Sequence, residues 1–460
     1  MLLGEIFHRF ANQSPISVMT VGMVERVLSS KQINAVFNQF SVNQYTRELM
    51  FSTVFDLLSH VVFGRYPSVH AAYQAHYESM EASITSVYNK LDGVELGIMK
   101  GLVNYSSDEL SALIEEIGGT LPPLLPGYHT KIIDGNCIAS TEHRLKELRS
   151  IHDGPLPGKS LVVLDPRLML AVDIFPCEDG HAQERSLLSE VVLSVEAGDL
   201  WIGDRNFCVR DFLFGLVDRR ALFIIRQHGQ LPFEELADFE EIGRVETGMV
   251  YEQPIRIKND EGKELLLRRV KLQLDIPTRD GDEEIYILTV LPKQSFNALR
   301  VSESYRQRWT LEGMFQELEK HLNSEINTLA YPRAALFAFS IALIAYNLLS
   351  VVKAALRSVH GTQKIEEEVS GYYVADEVAG TYRGMMIAIP AKEWEVFAGF
   401  SVPQLAQLLI ELAENVDLRK FKKHPRKPKK PPPERKSISK GNHVSTARLL
   451  ATRKNRAPTR

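Results

Sequence analysis

Cysteine is scarce in this chain: three residues in 460, Cys137, Cys177 and Cys208, with no CxxC pair among them. That excludes a disulfide framework and a cysteine-built zinc site, and it suits a reducing compartment. Long apolar runs are equally few. Only residues 333–353 come near the length of about 20 that a membrane span needs, and Ser340, Asn347 and Ser350 interrupt them. A buried core helix is expected there, and no membrane partner. The first residues, Met1-Leu2-Leu3-Gly4-Glu5, lack a basic segment followed by an apolar one, so no secretory signal is expected. There is no internal repeat.

What is present is ordinary globular material, 44% apolar and 24% charged, long enough for several domains at roughly 100–200 residues each. The formal net charge of −4 hides an asymmetry. Residues 419–460 hold sixteen Lys and Arg against one acid, Glu434, a local +15 that leaves the remainder at −19. Five prolines lie between His424 and Glu434, so this tail is expected to be disordered on its own, with phosphate contact as its use.

Residues 1–125 read as a helical domain. Helical patterning runs from Ser30 to Phe40 and from Gln44 to Val62, and Ser106-x-x-Glu109 has the form of a capping box. Pro122-Pro123 and Pro126-Gly127 mark a linker. Residues 126–227 mix strands with a helix: Lys131 to Asp134, a hairpin of Leu161–Asp165 and Leu168–Phe175, a helix over Gln183–Val195, then Leu200–Ile202 and Ala221–Ile225. Residues 228–298 read as a β-rich insertion with turns at Asn259-Asp260-Glu261-Gly262 and Arg279-Asp280-Gly281. A long helix is expected from about Ser302. Residues 299–360 then complete the core, 361–418 form a C-terminal helical region, and 419–460 the basic tail.

Asp134 and Asp204 each end an apolar strand before a turn, Asp134-Gly135-Asn136 and Asp204-Arg205-Asn206. Downstream, Tyr305, Arg308 and Glu312 fall within roughly 60° of one another at helical spacing. Leu311, Met314, Phe315, Leu318 and Leu322 form a separate apolar stripe that would anchor such a helix. Two aspartates and a glutamate can hold two hard divalent cations, and such a pair clamps the attacking and leaving oxygens of a phosphoryl displacement. The same residues also have structural readings. An aspartate before a turn commonly bonds its own backbone, and the helix stripe could be a solvated face with a chance ion pair. Asp165 and Asp173 are rival strand acids.

Asp134-Gly135-Asn136, Gly203-Asp204-Arg205-Asn206-Phe207 and Tyr305-x2-Arg308-x3-Glu312 together resemble the DDE transposases of the insertion sequence four family, whose helix signature is Tyr-x2-Arg-x3-Glu-x6-Lys. Residues 44–49 and 67–73, which include Gln44, Tyr45, Arg47 and His70, also resemble the N-terminal region of such proteins. The resemblance covers roughly residues 10–360. It implies an α/β fold: an RNase-H-like core interrupted by the β-rich insertion, with helical N-terminal and C-terminal regions. Asp134, Asp204 and Glu312 would be the metal-binding and catalytic residues, with Mg²⁺ or Mn²⁺, two ions, as cofactor. Tyr305 and Arg308 would contact DNA phosphates. The signature lysine falls on Glu319 here; Lys320 is the next residue, about 80° from Glu312 around a helix against about 20° for Glu319, and takes the DNA-binding assignment.

The activity implied is cutting of double-stranded DNA at terminal inverted repeats and transfer of the 3′-OH strand to target DNA. A homodimer in the DNA complex and a bacterial cytoplasmic location at the nucleoid go with it. Two other functions fit the residues: a degenerate relative that binds DNA without cutting, suggested by Glu319, and an RNase-H-like nuclease without strand transfer.

Overall fold

The computed structural model describes residues 4–44, 49–80, 82–139, 141–278, 281–424 and 443–454. Helices come first: α1 (His8–Gln13), α2 (Pro15–Val27), α3 (Ser30–Phe40), α4 (Phe51–Val62), α5 (Val69–Ala75), α6 (Ile84–Gly93) and α7 (Leu96–Ile117). Ser68 and Ser83 cap α5 and α6 by accepting the N–H of Ala71 and Ser86. The capping box expected at Ser106 does not form. Ile98, Met99, Leu102 and Val103 extend the buried face upstream, so α7 starts at Leu96 and Ser106 lies buried inside it, donating to Val103 O. Gly118 ends the helix in the left-handed conformation, φ 72°. Residues 45–48, which carry Tyr45 and Arg47, lie outside the described residues.

A ten-stranded sheet follows. Its first strands are β1 (His129–Cys137), β3 (Lys159–Asp165), β4 (Leu170–Cys177), β5 (Asp199–Gly203) and β6 (Leu222–Arg226), with a short β2 (Gly154–Leu156) outside the sheet. β3 and β4 form the expected hairpin, β3 pairs antiparallel with β1, and β1, β5 and β6 run parallel. The order β4-β3-β1-β5-β6, with only β3 reversed, is the RNase-H-like arrangement. β1 continues past Gly135 to Cys137 because β3 is long enough to pair it there. The helical segment read over Gln183–Val195 is shorter, a 3-10 turn (Glu184–Leu187) and α8 (Leu188–Leu193); α9 (Arg210–Asp218) links β5 to β6.

The β-rich segment contributes β7 (Glu234–Glu235), β8 (Glu240–Val245), β9 (Gly248–Lys258), β10 (Glu264–Leu274) and β11 (Glu284–Thr289). These strands continue the same sheet: β11 pairs antiparallel with β6, Ile287 opposite Arg226 and Thr289 opposite Ile224.

Alternation along β1 and β5 sorts the sheet's two faces. Ile132 and Ile202 join the larger apolar core with α7 and the later helices, while Ile133 and Trp201 join the smaller core with α8 and α9. Asp134 and Asp204 share the parity of Ile132 and Ile202, and those two are register partners. Two residues further on, both aspartates emerge beside one another on the larger-core side.

The helix expected from Ser302 is two helices, α10 (Ala298–Arg306) and α11 (Trp309–His321). At the junction Gln307, Arg308, Thr310 and Leu311 donate to the third residue back, so the chain tightens there. Next, α12 (Pro332–His360) is the helix whose length and apolarity alone would suit a membrane, but it is buried inside the fold. Its interrupting polar residues are used: Asn347 accepts from Ala171 N and donates to Ala171 O, both at 2.8 Å, where the β3–β4 register shifts.

α13 (Thr362–Glu368), α14 (Gly371–Ala388), α15 (Ala391–Trp394) and α16 (Val402–Glu414) complete the C-terminal helices. They close onto the N-terminal ones, with the Phe7 and Trp394 rings 4.9 Å apart, edge to face.

The basic tail is not wholly without structure. β12 (His443–Ser445) pairs parallel with β2, and α17 (Thr446–Lys454) follows. Leu449 and Leu450 pack on a satellite cluster of Leu145, Leu148 and Ala330, and Arg448 bonds Asp179 at 2.7 Å. A strand edge and an apolar patch elsewhere in the chain supply what this charged segment cannot supply itself.

Candidate active site

Asp134 comes to the site from within β1, Asp204 from the residue after β5, and Glu312 from the first turn of α11. Leu311, Met314 and Leu318, buried in the larger core, fix that helix face. Arg308 joins the parts. Its Nη1 lies 3.1 Å from Asp134 Oδ2 and 2.6 Å from Glu312 Oε1. Asp134 and Arg308 are each 15% exposed and Glu312 43%. Each aspartate also gives one oxygen to its own turn: Asp134 Oδ1 accepts Gly135 N–H at 2.9 Å, and Asp204 Oδ1 accepts Asn206 N–H at 2.7 Å.

Burial pushes the Asp134 carboxyl up to about 7; the Arg308 cation and the Gly135 amide oppose this, while the charges of Asp204 and Glu312 add to it. Burial works against the Arg308 charge too, but Tyr305, Asp134, Glu312 and Asp204 outweigh it and its pKa is raised. Arg308 therefore stays protonated, and Asp134 is the member of the pair that gives. Tyr305 is buried, and its phenol is raised mainly by burial, with Arg308 and Arg226 pulling the other way.

The structure thus gathers Asp134, Asp204, Glu312, Arg308 and Tyr305 into one electrostatic neighbourhood. Lys320 is elsewhere. It is exposed and lines a cleft of about 770 Å³ with Gly313, Gln316, His321, Tyr372 and Lys423, which none of the three acids touches. Glu319 is exposed as well. The rival acids are structural: Asp165 caps the hairpin turn at Arg167 and Leu168, and Asp173 binds Lys100 and Asn104. Gln44 is tied to Lys90 O and Glu95, while His70 is exposed. Of the arginines near β5, Arg210 pairs with Asp260, Arg226 with Asp282, and Arg219 bonds Leu193 O and Val195 O, while Arg205 and Arg220 are exposed.

Among the described residues, no three His, Cys, Asp or Glu side chains are grouped to hold a metal ion. A cation already stands between two of the acids, namely the Arg308 guanidinium. The donor set is nonetheless all oxygen, partly desolvated and rich in negative charge, which suits a hard divalent cation. One further residue at the site carries no sequence signal. Glu184 opens the 3-10 turn before α8, and its Oε2 accepts from Asn206 Nδ2 at 3.0 Å.

Residues 132–348 match the family model described as the transposase DDE domain. No curated protein matches the sequence. Among solved structures, the cryo-EM structure of a piggyBac transposase synaptic complex with hairpin DNA is similar at 10% identity. It covers 83% of this chain and 84% of that one with a TM-score of 0.40, a likeness too slight to carry an argument. The matched span includes Asp134, Asp204, Arg308 and Glu312.

Proposed function

We propose that the chain is a DDE transposase that cuts DNA at the ends of an insertion sequence and joins the freed 3′-OH to target DNA. The observation that carries this reading is the convergence of the three acids: two neighbouring parallel strands deliver Asp134 and Asp204 to one face of the sheet, and Glu312 meets Asp134 through Arg308. The insertion sequence four branch, the pairing of two DNA ends by a homodimer and a nucleoid location belong to the same proposal.

Asp134, Asp204 and Glu312 would hold Mg²⁺ or Mn²⁺. When bound, two such ions activate a water or 3′-OH and neutralise charge at the phosphate. The chain's own groups do the positioning. Asp134 uses Oδ1 to hold its turn and offers Oδ2, which Arg308 now occupies; Asp204 has Oδ2 to offer in the same way. Arg308 must leave Oδ2 for a cation to take it, and its planar donors then suit a DNA phosphate. Tyr305, which interacts with the guanidinium, would help to hold Arg308 near the site once it has withdrawn.

The test is Mg²⁺-dependent nicking of a labelled DNA end taken from the flanks of the gene, with Glu312→Gln as control. Nicking by wild type alone, followed by joining to target DNA, supports the proposal; nicking without joining points to a nuclease. Glu319 in the place of the signature lysine favours a second reading, a relative that holds DNA without cutting. DNA binding by both proteins with nicking by neither would replace the first reading with this one.

A further inference from the structure

Glu184 lies outside every motif described above, yet its side chain touches the turns of both aspartates. Its Oε2 accepts from Asn206 Nδ2, and Asn206 is the residue whose N–H caps Asp204. On its other side the Glu184 carboxylate packs against Gly135, the residue whose N–H caps Asp134. A Cβ at Gly135 would overlap the Glu184 carboxylate and lie 3.1 Å from its Cγ. A side chain at position 135 would make the Glu184 carboxylate shift from its present place.

We propose that Glu184 is a positioning residue that sets the separation of Asp134 and Asp204 by holding Asn206 against Gly135. The inference rests on the reading of the two aspartates as cation ligands. Each aspartate commits one oxygen to a backbone N–H, so the direction of its other oxygen follows from where that N–H sits. Glu184 ties the two N–H-bearing turns together across the gap between β1 and β5. Releasing Asn206 lets the Asp204 turn rotate and carries Oδ2 away from its partner. Residues that orient ligands from behind typically influence metal affinity by about 10–100-fold.

The test uses the full chain without DNA and Mn²⁺ alone as probe, with free Mn²⁺ counted by its electron paramagnetic resonance signal. Glu184→Ala and Asn206→Ala should each weaken Mn²⁺ binding by roughly tenfold. Because the two side chains act through one bond, the double variant should be no weaker than either single one. Glu184→Gln keeps an acceptor oxygen for Asn206 and loses only the charge, so it should remain within about threefold of wild type. Circular dichroism establishes that each variant is folded.

Glu184→Gln as weak as Glu184→Ala would show that the charge acts directly and would overturn the positioning role, as would Glu184→Ala equal to wild type. Asp134→Asn and Asp204→Asn keep the two failures apart. If neither alters Mn²⁺ binding, it is the ligand reading of the aspartates that fails. Hydrogen exchange at the Asn206 amide then decides the tie itself: faster in Glu184→Ala and unchanged in Glu184→Gln if Glu184 holds the turn, unchanged in both if it does not.

Discussion

Arg308 Nη1 stands 3.1 Å from Asp134 Oδ2, joining the start of α11 to β1 across 174 residues of sequence. The same nitrogen reaches Glu312, so one guanidinium neutralises two of the three acids. Arg308 and a divalent cation therefore compete for the same oxygens.

Arg308→Gln removes the competitor and leaves desolvated carboxylates behind. Mn²⁺ binding in the absence of DNA should tighten by roughly tenfold, the factor that ~1.4 kcal/mol represents, while DNA nicking falls. Calorimetric titration with Mn²⁺ reads the first effect, and weaker Mn²⁺ binding in the folded variant would contradict the competition.

Asp134 supplies a pH dependence. Its folded-state pKa of about 7 lies above the ordinary 3.8, so the fold holds this proton more tightly than the unfolded chain does. The resulting stability is fully present below about pH 4 and is lost as pH rises through about 7. Urea unfolding from pH 4 to 8 should show the wild type losing stability relative to Asp134→Asn; a difference independent of pH would refute the assignment. Mn²⁺ affinity should climb with pH toward about 7 and then level.

Asn347 is the third target. Asn347→Leu keeps the apolar character of α12 but strands the N–H and C=O of Ala171 in the core. Each such orphan costs about 1–3 kcal/mol, so a loss of roughly 2–4 kcal/mol is expected in urea unfolding. A loss below about 1 kcal/mol would mean that β4 finds other partners.

The basic tail can be tested in two parts. Removing residues 419–460 should flatten the salt dependence of DNA binding, by about 0.9 in log–log slope for every phosphate the tail neutralises. Leu449→Asp should release α17 from Leu145 and Leu148 while leaving the tail's lysines and arginines in place. If its salt slope matches that of the full deletion, the docked position is what delivers the charge to DNA.

Much of this site is legible in the sequence because period two and strand ends are local properties. Asp134 and Asp204 each follow an apolar run whose parity already says which face they take. Arg308 and Glu312 still meet, at 2.6 Å, although the tightened junction runs through Arg308 to Leu311. What escapes depends on neighbours distant in sequence. Ser106 has the form of a cap because nothing local reveals that Leu96 to Val103 are buried by other helices. The order in residues 443–454 comes from β2 and from Leu145, hundreds of residues away. Glu184 has no sequence mark at all, because its role is defined by Gly135 and Asn206, which flank it 49 residues back and 22 ahead.

The pairing of β11 with β6 bears on how this molecule can be dissected. Excising residues 228–298 to isolate a minimal catalytic unit would strip β6 of a neighbour and bare a row of amides beside the Asp204 strand. An open edge of that kind invites pairing with another chain, and a trimmed protein would be expected to precipitate before any activity could be measured. The segment between the second and third acids is, in this respect, the outer wall of the sheet that carries Asp134, and truncation boundaries are better drawn outside residues 129–360.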